Sequence, residues 1–260
     1  MHREPAAAIA SSTPVASASA SVAIADPGPP PAPPGCRRTI AAGTDIKHVS
    51  DAALRGLIVG STLGSEALDC LGHSVKYSAP AKPQQVDRFV EDATHLAVFV
   101  EVARELGYTS HCPGFAALVR VDHAEIVTEG VGPEEFDDCD ALTTLHTAMI
   151  DGHRALLFPH VMSTGESGDF ETAWSVSLAD AHGTLQPVGS ITSTRSMGNG
   201  SMTSGSWFDA LDATLLAAGN LQVEEHWELV REDPDAGEVH GRKRTVVRTY
   251  GLDAGALVSQ

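Results

Sequence analysis

Residues 86–106 read VDRFVEDATHLAVFVEVAREL. Phe89, Ala93, Leu96, Val100, Ala103 and Leu106 recur at spacings of three and four, which puts them on one face of a helix. Gly107 follows where a helix-ending residue with positive φ belongs. The spacing predicts a long helix over 86–106, although the β-branched residues of Val98–Val102 work against its second half.

Downstream, the pattern changes to alternation. Phe115–Val121 and Ala124–Thr128 alternate about Asp122-His123, which predicts a hairpin. Asp138 or Asp140 can cap a helix ending near Gly152. Arg154–Met162 reads as a strand, pushed towards a sheet edge by Pro159, which lacks a donor. The segment Gly168–Gly251 carries the most consistent signals. Phe170–Leu178 and Thr184–Ile191 flank the polar turn Asp180–Gly183. A Ser/Thr/Gly loop, Thr192–Gly205, leads to Ser206-Trp207-Phe208-Asp209, which resembles a capping box. Phe208, Leu211, Leu215 and Ala218 then form a helical stripe ending at Gly219. The last hairpin, Leu221–Tyr250, turns at Asp233–Gly237. Pairing Val230 with His240 sets Glu228 against Arg242 and His226 against Arg244, so the run Arg242-Lys243-Arg244 is partly cross-strand charge pairing.

Upstream, Ser50 can cap a helix starting at Asp51, with Gly56, Gly60 and Gly64 on one face. The competing reading is a strand Gly56–Gly60, a helix Glu66–Leu71 and a strand His73–Ser78. It lacks the G-x-G-x-x-G of a dinucleotide site. Residues 1–45 are an Ala/Ser/Pro-rich tail whose small side chains bury too little area to offset ordering entropy, so disorder is expected. The expected fold is therefore α+β: a disordered tail over 1–45 and a single domain over 46–260. That domain has a helical first half, an antiparallel or mixed sheet from about residue 115 onward, and one packed helix near 206–218.

The net charge is −17, which disfavours phosphate-backbone binding. No apolar run reaches the roughly 18 residues of a membrane span. Acids concentrate between Glu125 and Asp180, where Arg154 is the one arginine and no lysine occurs. This segment, 125–180, can attract a basic protein or polycation. The four cysteines, Cys36, Cys70, Cys112 and Cys139, form no C-x-x-C pair and read as reduced thiols of a cytoplasmic, intracellular protein. Export is the alternative, since Arg3 precedes small residues and Ala23-Ile24-Ala25 resembles a cleavage site.

Candidate chemistry is sparse. His123-Ala124-Glu125 has the H-x-E order of zinc deaminases, but the partner P-C-x-x-C is absent. Cys139, His146, His153 and His160 recur every seven residues and are able zinc or iron ligands. On one helix, successive members would stand about 10 Å apart, too far to share an ion. Chain bending that gathers two or three with Asp140 or Asp151 would make a divalent-metal site; no other cofactor is implied. As acid–base candidates the sequence offers His123, Glu125, Asp140, His146 and His153. Two functions follow as expectations. The first is a non-catalytic binding or assembly module recognising a basic partner. The second is a hydrolase or lyase-type enzyme, metal-assisted if the ligands converge, using a His/carboxylate cluster.

Overall fold

A computed structural model of the chain describes residues 36–78, 85–103, 112–136, 145–164, 169–196, 207–216, 220–233 and 237–260. β1 (Arg37–Thr39) leads to a 3-10 turn at Ile46–His48 and to α1 (Asp51–Ile58). Then β2 (Val59–Leu63), β3 (Glu66–Asp69) and β4 (Ser74–Lys76) make a three-stranded antiparallel sheet. β5 (Val86–Val90), β6 (His95–Glu101), β7 (Cys112–Asp122) and β8 (Glu125–Phe136) join β1 in a five-stranded sheet ordered β1-β8-β7-β6-β5. The rest of the chain runs up and down through β9 (His146–Ile150), β10 (His153–Thr164), β11 (Asp169–Ala179) and β12 (Leu185–Ser196). It continues through β13 (Phe208–Leu216), β14 (Gln222–Asp233), β15 (Gly237–Asp253) and β16 (Ala256–Ser259). These eight strands form one sheet in sequence order.

Three apolar layers hold the sheets together. Val98, Val100, Ala117 and Val119 face α1 and the small sheet, packing with Leu54, Leu57, Ile58 and Ala67. Ala97, Phe99, Ala116 and Leu118 point the other way, onto Leu156, Phe158 and Leu185 of the eight-stranded sheet. Ala155 and Leu157 of β10 turn to the far side of that sheet, where they pack with Trp174, Val176, Ile191, Leu211 and Val223. Successive side chains of a strand point to opposite faces, so β6 and β10 each feed two layers.

That double burial overturns the α+β expectation. The stretch 86–106 contributes β5 and β6, joined at Asp92, whose carboxylate accepts the N–H groups of Thr94 (2.6 Å) and His95 (2.8 Å). A strand buried on both faces shows no polar alternation, and its apolar residues match a helical spacing by coincidence. The helix expected near 206–218 is β13, in which Leu211 and Ala213 are buried and Asp212 and Thr214 exposed. The helix expected to end near Gly152 is β9 over His146–Ile150, its proposed start lying outside the described residues. Glu66–Asp69 is a strand, not a helix. The protein is mostly β, with α1 the one α-helix among the described residues.

Other local readings agree with the structure, and two are corrected: β10 is not an edge strand, and the pairs Glu228–Arg242 and His226–Arg244 do not form. Ser50 caps α1, its hydroxyl accepting the N–H of Ala53 at 3.2 Å. β7 and β8 form a hairpin with Asp122 paired to Glu125, and His123 takes φ +57° in the turn. β11 and β12 meet at the 180–184 turn, where Gly183 has φ +79°. Pro159 sits within an interior strand, but β9 covers β10 only over residues 153–157, so beyond Leu157 that flank of β10 has no β9 partner. A bulge near Glu228 shifts the last hairpin by one residue: Val230 faces His240, whereas Glu228 faces Lys243 and Trp227 faces Arg244.

Residues 1–35 of the expected tail lie outside the described residues. From Cys36 onward the tail belongs to the fold: β1 pairs with β8, and Cys36 is buried. The reading of reduced thiols is also corrected. Cys36 and Cys70 form a disulfide across 34 residues, and Cys112 is disulfide-bonded as well. Among the described residues no helix is long and apolar enough to cross a membrane.

Candidate functional site

Several described acids of the 125–180 segment are held by local partners. Glu129 is bound by Arg120 at 3.3 Å and by Arg154, which also reaches Glu91 at 2.8 Å. Glu171 accepts from Thr192 and Arg195. Asp151 accepts the N–H of Leu252, and Asp180 clamps its own turn through the N–H groups of His182 and Thr184. Asp137, Asp138, Asp140 and Glu166 lie outside the described residues. Glu134 differs from the rest. It is half-buried near the end of β8, with no ion pair or side-chain hydrogen bond among the described residues. Burial pushes its carboxyl up to about 7, because removal from water penalises the charged form.

Glu134 faces a cleft of about 590 Å³ where the three sheets meet. Lys76 of β4, Phe158 and His160 of β10, Ser175 of β11 and Ser190 of β12 line it with Glu134. The volume is that of a small-molecule or side-chain pocket, and its lining is mixed: an apolar wall, the hydroxyls of Ser74, Ser175 and Ser190, the carboxyls of Glu134 and Glu135, an imidazole and an ammonium. Close backbone approach builds the wall beside it. A side chain at Gly130 would meet Ala179 and Leu185 at 2.7 and 2.9 Å, so glycine there allows β8 to lie directly on the 180–185 turn. Val131 N–H then donates to Gly183 O at 2.9 Å.

That contact also assembles a second group, which is not part of the cleft lining. Asp69, at the end of β3, has a fully buried side chain. It accepts the N–H groups of Leu71 (2.8 Å) and His73 (2.9 Å) and binds His73 Nδ1 at 2.8 Å. The other ring nitrogen, Nε2, lies 3.4 Å from Thr184 Oγ1. Ser74, the next residue after His73, lines the cleft. A buried carboxylate, an imidazole and a hydroxyl thus stand in line, with each end held by an aspartate-clamped turn. This is the order of groups used to activate a hydroxyl nucleophile.

Of the catalytic and metal-ligand candidates drawn from sequence, His160 alone lies in this cleft. His123 is 96% exposed at a hairpin tip beside Asp122, and Glu125 pairs with Arg37 at 3.7 Å. The H-x-E order is a turn, and its two side chains have separate partners. His146 lies opposite Leu157 on β10, four residues along from His153, so the two stand about 13 Å apart at strand spacing. His153 and His160 differ by seven residues and point to opposite faces of β10, about 23 Å apart along it. His146 instead packs edge-on to Phe89 at 5.5 Å beside a second cleft of about 540 Å³, and burial pushes its imidazole below its usual value. Cys139 and Asp140 lie outside the described residues. Among the described residues no three His, Cys, Asp or Glu side chains stand close enough to hold a metal ion. The loop Thr192–Gly205 contributes residues 192–196 to β12; its remainder lies outside the described residues.

No known protein family, curated protein or solved structure matches the chain.

Sequence reasoning missed Glu134 as a distinct group and missed the Asp69–His73–Thr184 array altogether. Asp69 and His73 sit four residues apart, which is the one local signal available. Thr184 lies 111 residues further on and reaches them only through the pairing of β8 with the 180–185 turn.

Proposed function

We propose that the protein is a binding module that receives a basic group of its partner in the cleft at Glu134. The observation that carries this reading is the half-buried Glu134 carboxyl with no cation paired to it among the described residues. A guanidinium or ammonium entering the cleft would hold that carboxyl in its charged form and supply the missing partner. Ser175 and Ser190 offer hydroxyls to the remaining donors, and Phe158 offers an apolar wall to an alkyl stem. The basic partner expected from the acidic segment as a whole is thereby narrowed to one carboxyl and its surroundings. Calorimetric titration with agmatine, a guanidinium and an ammonium joined by a short alkyl chain, tests it. Binding to the unmodified chain and a loss of tenfold or more with Glu134→Gln support the reading; equal heats for both refute it.

The Cys36–Cys70 disulfide supports a site of action in an oxidising compartment, where such bonds form and persist. The alternative function, a hydrolase, draws its support from Asp69, His73 and Thr184 in place of His146, His153 and Asp140. In that reading Thr184 Oγ attacks an ester carbonyl while His73 Nε2 takes its proton. The alcohol leaves with that proton, and water then cleaves the acyl-threonine.

A further inference from the structure

β15 is 17 residues long and is matched on its outer side by β16 only over Tyr250–Asp253. From Gly237 to Arg248 its outer flank has no strand partner among the described residues, whereas Thr249 O accepts the N–H of Gln260 at 2.8 Å. Such an edge presents a row of backbone donors and acceptors to any extended chain. The edge is also chemically marked. In a chain of net charge −17, it carries Arg242, Lys243, Arg244 and Arg248 within seven residues.

Alternation, shifted by the bulge between His240 and Lys243, divides these cations between two faces. Lys243 faces Glu228 at 2.9 Å, with His240 on the same carboxylate at 3.0 Å, so that face is compensated. Arg242, Arg244 and Arg248 share the other face, repeating at about 7 Å per two residues. Arg248 is held by the buried carboxylate of Glu225 at 2.7 Å, which also accepts from Trp227 Nε1 at 2.9 Å. Arg244 lies over the Trp227 ring, 5.1 Å from its centroid, and Arg242 has no ion pair among the described residues. Two guanidinium groups are therefore available beside an open strand edge.

We propose that this edge binds an extended acidic peptide as an added strand, with alternate carboxylates on Arg242 and Arg244. The pitch argues for a peptide: acids at every second position of a strand repeat at the same spacing as arginines at every second position of β15. A second copy of the chain fits poorly, because antiparallel pairing centred on Lys243 would set the basic run against itself. Nucleic acid fits poorly too, since it has no peptide groups to complete the ladder. The inference is independent of the Glu134 cleft.

The test uses the full-length chain and a fluorescein-labelled ten-residue peptide of alternating Thr and Glu, read by anisotropy. Binding should weaken tenfold or more with Arg242→Glu/Arg244→Glu, whose fold is checked by circular dichroism. Against the unmodified chain, N-methylation of one alternate set of peptide nitrogens should abolish binding and methylation of the other set should leave it. This arm holds whatever the double variant does. No binding of the peptide, equal binding of both methylated sets, or equal binding of a ten-residue oligothymidylate would overturn the proposal.

Discussion

His73 Nδ1 stands 2.8 Å from the Oδ2 of Asp69, whose side chain is fully buried, and that carboxylate also accepts the backbone N–H groups of Leu71 and His73. One buried carboxylate thus satisfies three donors and fixes both the turn after β3 and the imidazole. Asp69→Ala leaves all three unpaired and should cost about 2–4 kcal/mol of stability. Urea unfolding measures it; a cost within 0.5 kcal/mol contradicts the role given to this carboxylate.

The same array separates the two functional readings. A fluorophosphonate probe should modify Thr184 if His73 activates it, and Thr184→Ser should react faster while Thr184→Ala and His73→Ala do not react. Intact mass and peptide mapping read the adduct. Absence of any adduct on the unmodified chain removes the hydrolase reading and leaves the binding reading untouched.

Glu134 imposes a pH dependence of defined sign. Its carboxyl is raised to about 7 in the folded chain, against an ordinary value near 4.5. Between those values the folded state binds the extra proton, so stability falls as pH rises. The contribution is fully present below pH 4.5 and lost as pH passes 7. Glu134→Gln should flatten this part of the stability profile by about 2–3 kcal/mol between pH 4.5 and pH 8. An identical profile in the variant would contradict the burial of this carboxyl.

The Cys36–Cys70 bond closes a loop of 34 residues and ties the segment before β1 to the turn after β3. Loop-closure entropy assigns it about 3–4 kcal/mol. Cys36→Ser/Cys70→Ser should lower the unfolding midpoint accordingly, and the unmodified chain purified without reductant should show no titratable thiol. A thiol count of two or more would point back to a reducing compartment.

Removing the most sequence-conspicuous candidate should do little. His123 is almost fully exposed, so His123→Ala should change stability by less than about 0.5 kcal/mol. A large loss of stability there would indicate a packing role that its exposure excludes.

Much of the second half was legible in the sequence, because its turns carry their own chemistry. Asp122-His123 and Asp180–Gly183 mark hairpins by residues that tolerate positive φ or accept backbone donors, and the flanking strands alternate. The first half was misread where alternation vanished. Val98 and Val100 pack against the helix side while Ala97 and Phe99 pack against the eight-stranded sheet, so every position is apolar and the period is hidden. In β13 the period of two was present at Leu211 and Ala213, but capping-like residues at 206–209 favoured a helix. The candidate site was the least legible part. Burial separates Glu134 from its acidic neighbours, and Thr184 meets His73 through tertiary pairing alone.

The most direct test of the binding reading is the Glu134 side-chain carboxyl carbon resonance, titrated with pH in ¹³C-glutamate-labelled protein with and without agmatine. In the free chain the midpoint should lie near 7. With saturating agmatine it should fall by about one unit or more as the guanidinium pairs with the carboxylate. A midpoint near 4.5 in the free chain, or one near 7 that agmatine leaves unmoved, would contradict it.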